Sequence, residues 1–381
     1  MQLLRKISLL FVSILVISSG VLLPSLPNII RDYPMIPSTI IELLGTLPAL
    51  FTMLVIPFSP NVAKKIGYKK TVQIGLAIAF ISGLLPIYVH SFLILFLTRI
   101  TFGVGIGLFN PLLYSFSTSL YHGNELTKML GYQSAFEGMG GIVTSFLVAQ
   151  LVAGGWRHTL WTYLIILPIL LLFSLFIPDV HPSNQKTTNK EKVKIDKNFF
   201  VFIGLLVVLI TIYMSVSIKI SAFLNEQHFG TVKDASNGLA LMGVGAMMAG
   251  LLFGINTRIF KQWLLTVSFL GMSVSLYILA NTQSVFWMIM MNFTIGLSFR
   301  TFIPYLLNLA NQVDDGTGER RTALLLVGFN IGSAFAPVTI NLFSKLLHLT
   351  TVKSIYLMEA FIVLIIAIAT GVHVFYKQYK I

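Results

Sequence analysis

Five charged side chains sit inside long apolar runs of this chain: Arg99, Glu137, Lys219, Arg300 and Glu359. An ionisable group at the centre of a membrane helix costs about 2.5–3.5 kcal/mol on insertion scales, so each needs a partner, water or a task. Glu137 lies about eight residues inside one end of its run, or about 12 Å at 1.5 Å per residue. Arg300 lies at a matching depth in another run. A carboxyl poised between burial and a neighbouring cation can carry a proton, and equal depth makes a contact between Glu137 and Arg300 possible. The plainer alternative is that each faces cavity water on its own. Arg99, about 10 Å inside the opposite edge, is read as a participant in proton relay or in attracting an anionic solute, with a structural Arg bonded to backbone carbonyls as the alternative. Lys219 and Glu359 lie close enough to a boundary to snorkel, and Glu42 reads as an ordinary helix-end acid. Asn110, Gln133, Asn292 and Asn330 can bond a solute or a neighbouring helix, and Phe109, Tyr114, Tyr132 and Phe329 are candidate cavity walls.

The elements that must position these residues follow from composition. Of 381 residues, 56% are hydrophobic and 10% charged, with a mean hydropathy of +0.85. Soluble domains carry roughly 25% charged residues. Apolar runs lie near 7–27, 40–59, 71–89, 92–119, 129–153, 158–177, 199–222, 236–255, 263–281, 284–310, 322–344 and 353–376, which predicts an all-α integral membrane protein with twelve transmembrane helices. Arg5 and Lys6 followed by an apolar stretch resemble a signal peptide, but Pro24-Ser25-Leu26-Pro27 is no small-residue cleavage site, and the segment reads as the first span. Pro24, Pro27, Pro48, Pro111, Pro304 and Pro337 interrupt spans where kinks can serve as hinges. With both termini placed in the cytoplasm, inner segments hold eighteen of the 26 Lys and Arg and outer segments five, as the positive-inside rule requires.

The formal charge of +13 belongs to these topology signals and does not form a nucleic-acid-binding patch. The chain has no cysteine, so disulfide and thiol chemistry are excluded. Residues 178–198 form the longest polar stretch and read as a cytoplasmic linker between six-helix bundles at 1–177 and 199–381. Gly131-Tyr132-Gln133 and Gly328-Phe329-Asn330 occupy corresponding places, as do Ile106-Gly107-Leu108 and Ile295-Gly296-Leu297, which argues for two pseudo-symmetric halves.

The stretch Pro60-Asn61-Val62-Ala63-Lys64-Lys65-Ile66-Gly67-Tyr68-Lys69-Lys70 resembles the signature loop of the major facilitator superfamily, Gly-x-x-x-Asp-Arg/Lys-x-Gly-x-Arg/Lys-Arg/Lys. Pro60 stands for the first Gly, and Lys64 stands for the acid that the resemblance would assign to latching the halves. Gly254-Ile255-Asn256-Thr257-Arg258-Ile259-Phe260-Lys261 is a degenerate second copy. Arg99-x-x-x-Gly103-x-Gly105-x-Gly107 and Gly154-Gly155-Trp156-Arg157 are similar to further patterns of that family. Phe136-Glu137-Gly138-Met139-Gly140-Gly141 keeps the paired glycines of the drug and proton antiporters' Gly-Pro-x-x-Gly-Gly, with Glu137 in place of Pro.

The resemblance implies alternating access between two bundles, a solute cavity served by Asn110, Tyr114, Gln133, Asn292 and Asn330, and coupling or gating by Glu137, Arg300 and Arg99. It also implies a cationic cytoplasmic loop made by Lys64, Lys65, Gly67, Lys69 and Lys70. The expected function is secondary active transport, with proton-coupled export of small amphipathic compounds as the leading reading. Uptake of a small anionic solute and a non-transporting sensor are the alternatives. The expected partners are a small-molecule substrate, protons and lipid, with no nucleic acid and no cofactor, in a monomer of the bacterial cell membrane. Phosphate-loop, Gly-x-Ser-x-Gly and His-Glu-x-x-His motifs are absent, so an enzyme is not expected.

Overall fold

A backbone immersed in hydrocarbon must satisfy its own N–H and C=O groups, and long helices do this within a single segment. The computed structural model describes residues 2–121, 123–179, 197–311 and 318–379. Among them, twelve long helical segments fit this requirement. They are α1 (Leu3–Asp32), α2 (Ser38–Val55), α3 (Tyr68–Tyr88), α4 (Phe92–Leu120), α5 (Gly123–Leu151), α6 (Trp156–Phe176), α7 (Lys197–Glu226), α8 (Val232–Phe260), α9 (Leu264–Asn281), α10 (Val285–Asn311), α11 (Gly318–Leu346) and α12 (Val352–Tyr379). Judged by apolar length alone there are eleven stretches, because Val232–Asn281 is continuous over 50 residues. A single 3₁₀ turn at Lys261–Trp263, with Lys261 at φ 48°, divides it into α8 and α9.

The helices run a few residues past most of the apolar limits read from the sequence. Polar residues beyond the hydrocarbon still find intrahelical partners and local caps. At the start of α8, Thr231 and Asp234 cap each other: the Thr231 N–H donates to Asp234 Oδ2 at 2.8 Å, and the Asp234 N–H donates to Thr231 Oγ1 at 3.3 Å. Segment α1 is composite, with α-helix at Gln2–Ile14, 3₁₀ helix over Leu15–Ser25 with Pro24 inside it, and α-helix again from Leu26. Proline removes one donor, and the tighter winding absorbs the gap in the ladder.

The chain divides into two compact units, Met1–Lys192 and Val193–Ile381. In the first, α1 packs on α5, α2 on α4, and α3 on both α4 and α6. The second repeats this scheme, with α7 on α11, α8 on α10, and α9 on both α10 and α12. The repeated pairing gives the paired sequence motifs a structural counterpart.

Between membrane helices, close backbone approach replaces the hydrophobic drive available in water, and glycine permits it. A Cβ added at Gly105 of α4 would stand 2.7 Å from the Gly75 carbonyl oxygen of α3. One added at Gly140 of α5 would stand 2.0 Å from the Ile14 oxygen of α1, and one at Gly296 of α10 would stand 2.0 Å from the Met242 oxygen of α8. Gly254, also on α8, has nothing within 4 Å of such an atom. The expected outcome is that Gly296→Ala destabilises the protein by about 1–3 kcal/mol. Gly254→Ala should leave stability unchanged or raised by up to about 1 kcal/mol. Thermal unfolding of both variants in detergent checks the contrast.

Candidate functional site

Arg99 is fully enclosed, with 0% of its surface accessible. It sits on α4 where Gly103 and Gly105 bring neighbouring helices close, and its guanidinium meets groups from two of them. Nη1 donates to the Tyr163 hydroxyl of α6 at 3.0 Å, and Nη2 donates to the Ser82 carbonyl of α3 at 3.2 Å. The Tyr163 hydroxyl in turn donates to the Ser18 carbonyl in the 3₁₀ part of α1 at 3.3 Å. The rings of Phe102 and Tyr163 lie 5.3 and 5.4 Å from the guanidinium carbon. Four helices are thus tied through one cation. The bond to Ser82 is one to a backbone carbonyl, as in the alternative weighed for this residue, and Nε has no hydrogen-bond partner among the described residues.

The other expected residues fall into two groups. Gln133 and Asn292 are buried: Gln133 Nε2 donates to the Leu113 carbonyl of α4 at 3.1 Å, and Asn292 Nδ2 donates to the Met288 carbonyl at 2.8 Å. The amide oxygen of each has no hydrogen-bond partner among the described residues. Asn110, Asn330, Glu137 and Arg300 are half-buried. Asn330 Nδ2 donates to the Leu326 carbonyl at 2.8 Å. Glu137 follows Phe136, whose ring lies 6.1 Å from Phe11 of α1. Arg300 stands beside the Tyr213 hydroxyl of α7 and 6.0 Å from the Phe329 ring. Tyr213 itself stacks on Phe299 at 4.5 Å, so an aromatic wall holds this guanidinium. Glu137 and Arg300 belong to different units. Of the proposed cavity walls, Phe109 is buried in helix packing and Tyr132 is exposed, while the Tyr114 side chain lies outside the described residues.

The signature loop contains a short helix, Ser59–Ile66. Pro60 in place of glycine suits a first helical turn, where its missing N–H costs nothing. Ser59 Oγ donates to the Leu108 carbonyl of α4 at 2.6 Å, fixing this helix on the bundle. Gly67, at φ 91°, ends it and admits α3 in a conformation that L side chains rarely adopt. Lys64 and Lys65 are exposed in its last turn, where cations oppose the helix dipole, and Lys70 is exposed at the start of α3, with Lys69 half-buried beside it. A carboxylate is present after all, from a place the sequence pattern did not indicate. Asp179, just past α6, stands 3.6 Å from where a Gly67 Cβ would be. At the other end of this unit, Trp156 Nε1 donates to Asp32 Oδ2 at 2.7 Å, and Arg157 donates to Asp32 at 3.3 Å and to the Tyr33 hydroxyl at 3.2 Å.

Lys219 and Glu359, expected to snorkel, are 8% and 2% exposed. Hydropathy spacing gives depth along a helix but not the direction a residue faces, and both turn into the bundle. Glu42 is likewise buried in α2 and not an ordinary end residue.

Twelve helices in two units of repeated pairing, with amides and charges inside them, are the architecture of a membrane transporter. The sequence pattern of the Major Facilitator Superfamily matches residues 9–318, and the chain belongs to that family of secondary transporters. It is 24% identical over 354 residues to the quinolone resistance protein NorA of Staphylococcus aureus (strain MSSA476), covering 87% of this chain and 89% of that one. Its fold is similar to that of the nucleoside transporter NupG, with a TM-score of 0.78 at 14% identity over 97% of this chain and 99% of the other. It is also similar to a bacterial homologue of the human lysosomal transporter Spinster, with a TM-score of 0.74 at 16% identity over 96% and 95% of the two chains.

Tyr163→Phe is expected to lower stability by roughly 1.5–3 kcal/mol, the range for hydrogen bonds to charged groups, since it removes both the acceptor of Arg99 Nη1 and the donor to Ser18. Thermal unfolding of the purified protein beside wild type measures this loss.

Proposed function

We propose that this chain exports small amphipathic compounds in exchange for protons, by alternating access between its two units. The observation that carries the reading is the half-buried Glu137 on α5, one turn before the glycine that lets α5 lie against α1. A carboxyl is a group that can take up and release a proton, which a proton-coupled step requires. The likeness to a protein named for quinolone resistance supports outward movement of drug-like compounds. Arg300, held by Tyr213 and Phe329, offers a cationic and aromatic wall on which flat amphipathic molecules can stack.

Uptake of an anionic solute is the second reading, and Arg300 is the observation that favours it. Its support is weaker than the sequence implied, because Arg99 is fully buried and two of its donors are engaged by Tyr163 and Ser82. Protons are the coupling ion and the cell membrane the location in this reading, with both termini on the cytoplasmic side.

The deciding measurement is transport in proteoliposomes with an imposed pH gradient, using a lipophilic cationic dye and a panel of small anions. Wild type is expected to move dye against its gradient, and Glu137→Gln to reduce this to the level of empty vesicles. Dye transport that keeps its full pH dependence in Glu137→Gln would remove Glu137 from coupling. Anion accumulation unaffected by the variant would move the function to uptake.

A further inference from the structure

The second unit holds a polar cluster that the proposed mechanism does not use. Glu226, the last residue of α7, accepts a hydrogen bond at Oε2 from the Val352 N–H, the first of α12, at 2.7 Å. This clasp sets the register of the two helices. Seven residues inward from it on α7 is Lys219, and seven residues inward on α12 is Glu359. Both therefore lie about 10 Å from the clasp, at the same level. Ser215 follows one turn deeper on α7. Tyr356 lies one turn back toward the clasp on α12, its ring 5.3 Å from Phe223.

The cluster is enclosed by its helices. Glu359 Oε2 and the Tyr356 hydroxyl are buried without a hydrogen-bond partner among the described residues, and the Ser215 hydroxyl stands beside the Glu359 carboxyl. Native proteins satisfy the great majority of such atoms, so a buried carboxyl with one unpartnered oxygen, set beside two hydroxyls, marks this cluster out for a task beyond packing. The charged and titratable groups that face Glu359 are Lys219 on α7, Tyr356 on its own helix and, farther toward the clasp, Glu226. Helix α9, packed along α12, brings the neutral Ser273, bonded to the Ala360 carbonyl at 2.8 Å. The Lys219 ammonium donates to Asn341 Oδ1 of α11 at 3.1 Å. It is thus within reach of both an amide oxygen and the carboxyl.

A bound metal cation is disfavoured beside an ammonium, whereas a proton suits a carboxyl whose neighbour offers an alternative cation. We propose that Glu359 is a proton-exchanging carboxyl of the second unit, with Lys219 as its charge partner. When Glu359 carries the proton, the ammonium rests on Asn341. When the proton leaves to water, the carboxylate draws the ammonium, and α7 shifts its attachment from α11 to α12. One proton, that of the Glu359 carboxyl, is exchanged per cycle. This deepens the proton-coupled part of the proposed function and assigns it a second group, far in sequence from Glu137.

Infrared difference spectroscopy of the purified protein, titrated with acid and base, tests the assignment without any transported compound. It is therefore independent of the outcome for export. Wild type should show the C=O band of a protonated buried carboxyl that appears and disappears with pH. The band should be lost in Glu359→Gln and kept in Glu137→Gln. Lys219→Met removes the cation that favours the carboxylate, so the band should persist to more alkaline pH by about one unit or more. Identical spectra for wild type and Glu359→Gln at every pH overturn the proposal, as does a Glu359 band that never titrates while the protein is folded. Should Glu359→Gln not fold, Glu359→Asp decides the matter, since it must move the band and its transition, and an unmoved transition overturns the assignment.

Discussion

Every polar group in this protein lives under one constraint: the surrounding medium supplies almost no hydrogen bonds. Helices answer it for the backbone, and glycine contacts let those helices lie close enough for side chains to answer it for one another. The chain Arg99 to Tyr163 to Ser18 shows both parts working together. Small residues on α4 bring α3 near, and the guanidinium then finds a carbonyl there and a hydroxyl on α6. A charge that would be costly alone becomes the fastening of four helices.

The two units solve the same problem with different chemistry. Their helix pairings repeat, yet the first unit buries a cation whose described bonds run to neutral oxygens, while the second buries an ammonium and a carboxyl at one level of α7 and α12. A duplicated scaffold can thus hold a fixed fastening in one copy and a titratable pair in the other. Specialisation of this kind changes few residues, because the glycine contacts that set helix spacing are independent of the charges placed between them.

Much of the fold was legible because insertion into a bilayer depends on summed transfer energy, which a sequence carries openly. The spans follow from it, whereas the Gly67 turn and the paired motifs were read from particular residues. Partners were less legible. Nothing near Arg99 in the sequence points to Tyr163, sixty-four positions away, and no periodicity indicates that Asp179 comes to the loop where Lys64 replaces an acid. Lys219 and Glu359 were read as reaching outward, and both are buried. Rotation about the helix axis depends on packing that a single hydropathy profile averages out. The division of α8 from α9, read from the break between the runs at 236–255 and 263–281, falls at Lys261, whose φ of 48° composition does not announce.

The 3₁₀ stretch of α1 has a mechanical meaning. Its eleven residues rise about 2.0 Å each, where an α-helix would rise about 1.5 Å, so refolding to α-helix would shorten α1 by about 5 Å and turn one end against the other by about 220°. Both ends are anchored within the same unit, Lys6 to Glu125 on α5 and Asp32 to Trp156 and Arg157 on α6. Helix α1 is therefore a strut whose length is set by its hydrogen-bond register, and the Tyr163 hydroxyl bonded to Ser18 presses on it where the register differs. Through Tyr163 and Ser18, Arg99 is bonded to the one segment of α1 in which rotation and length are tied together by the winding.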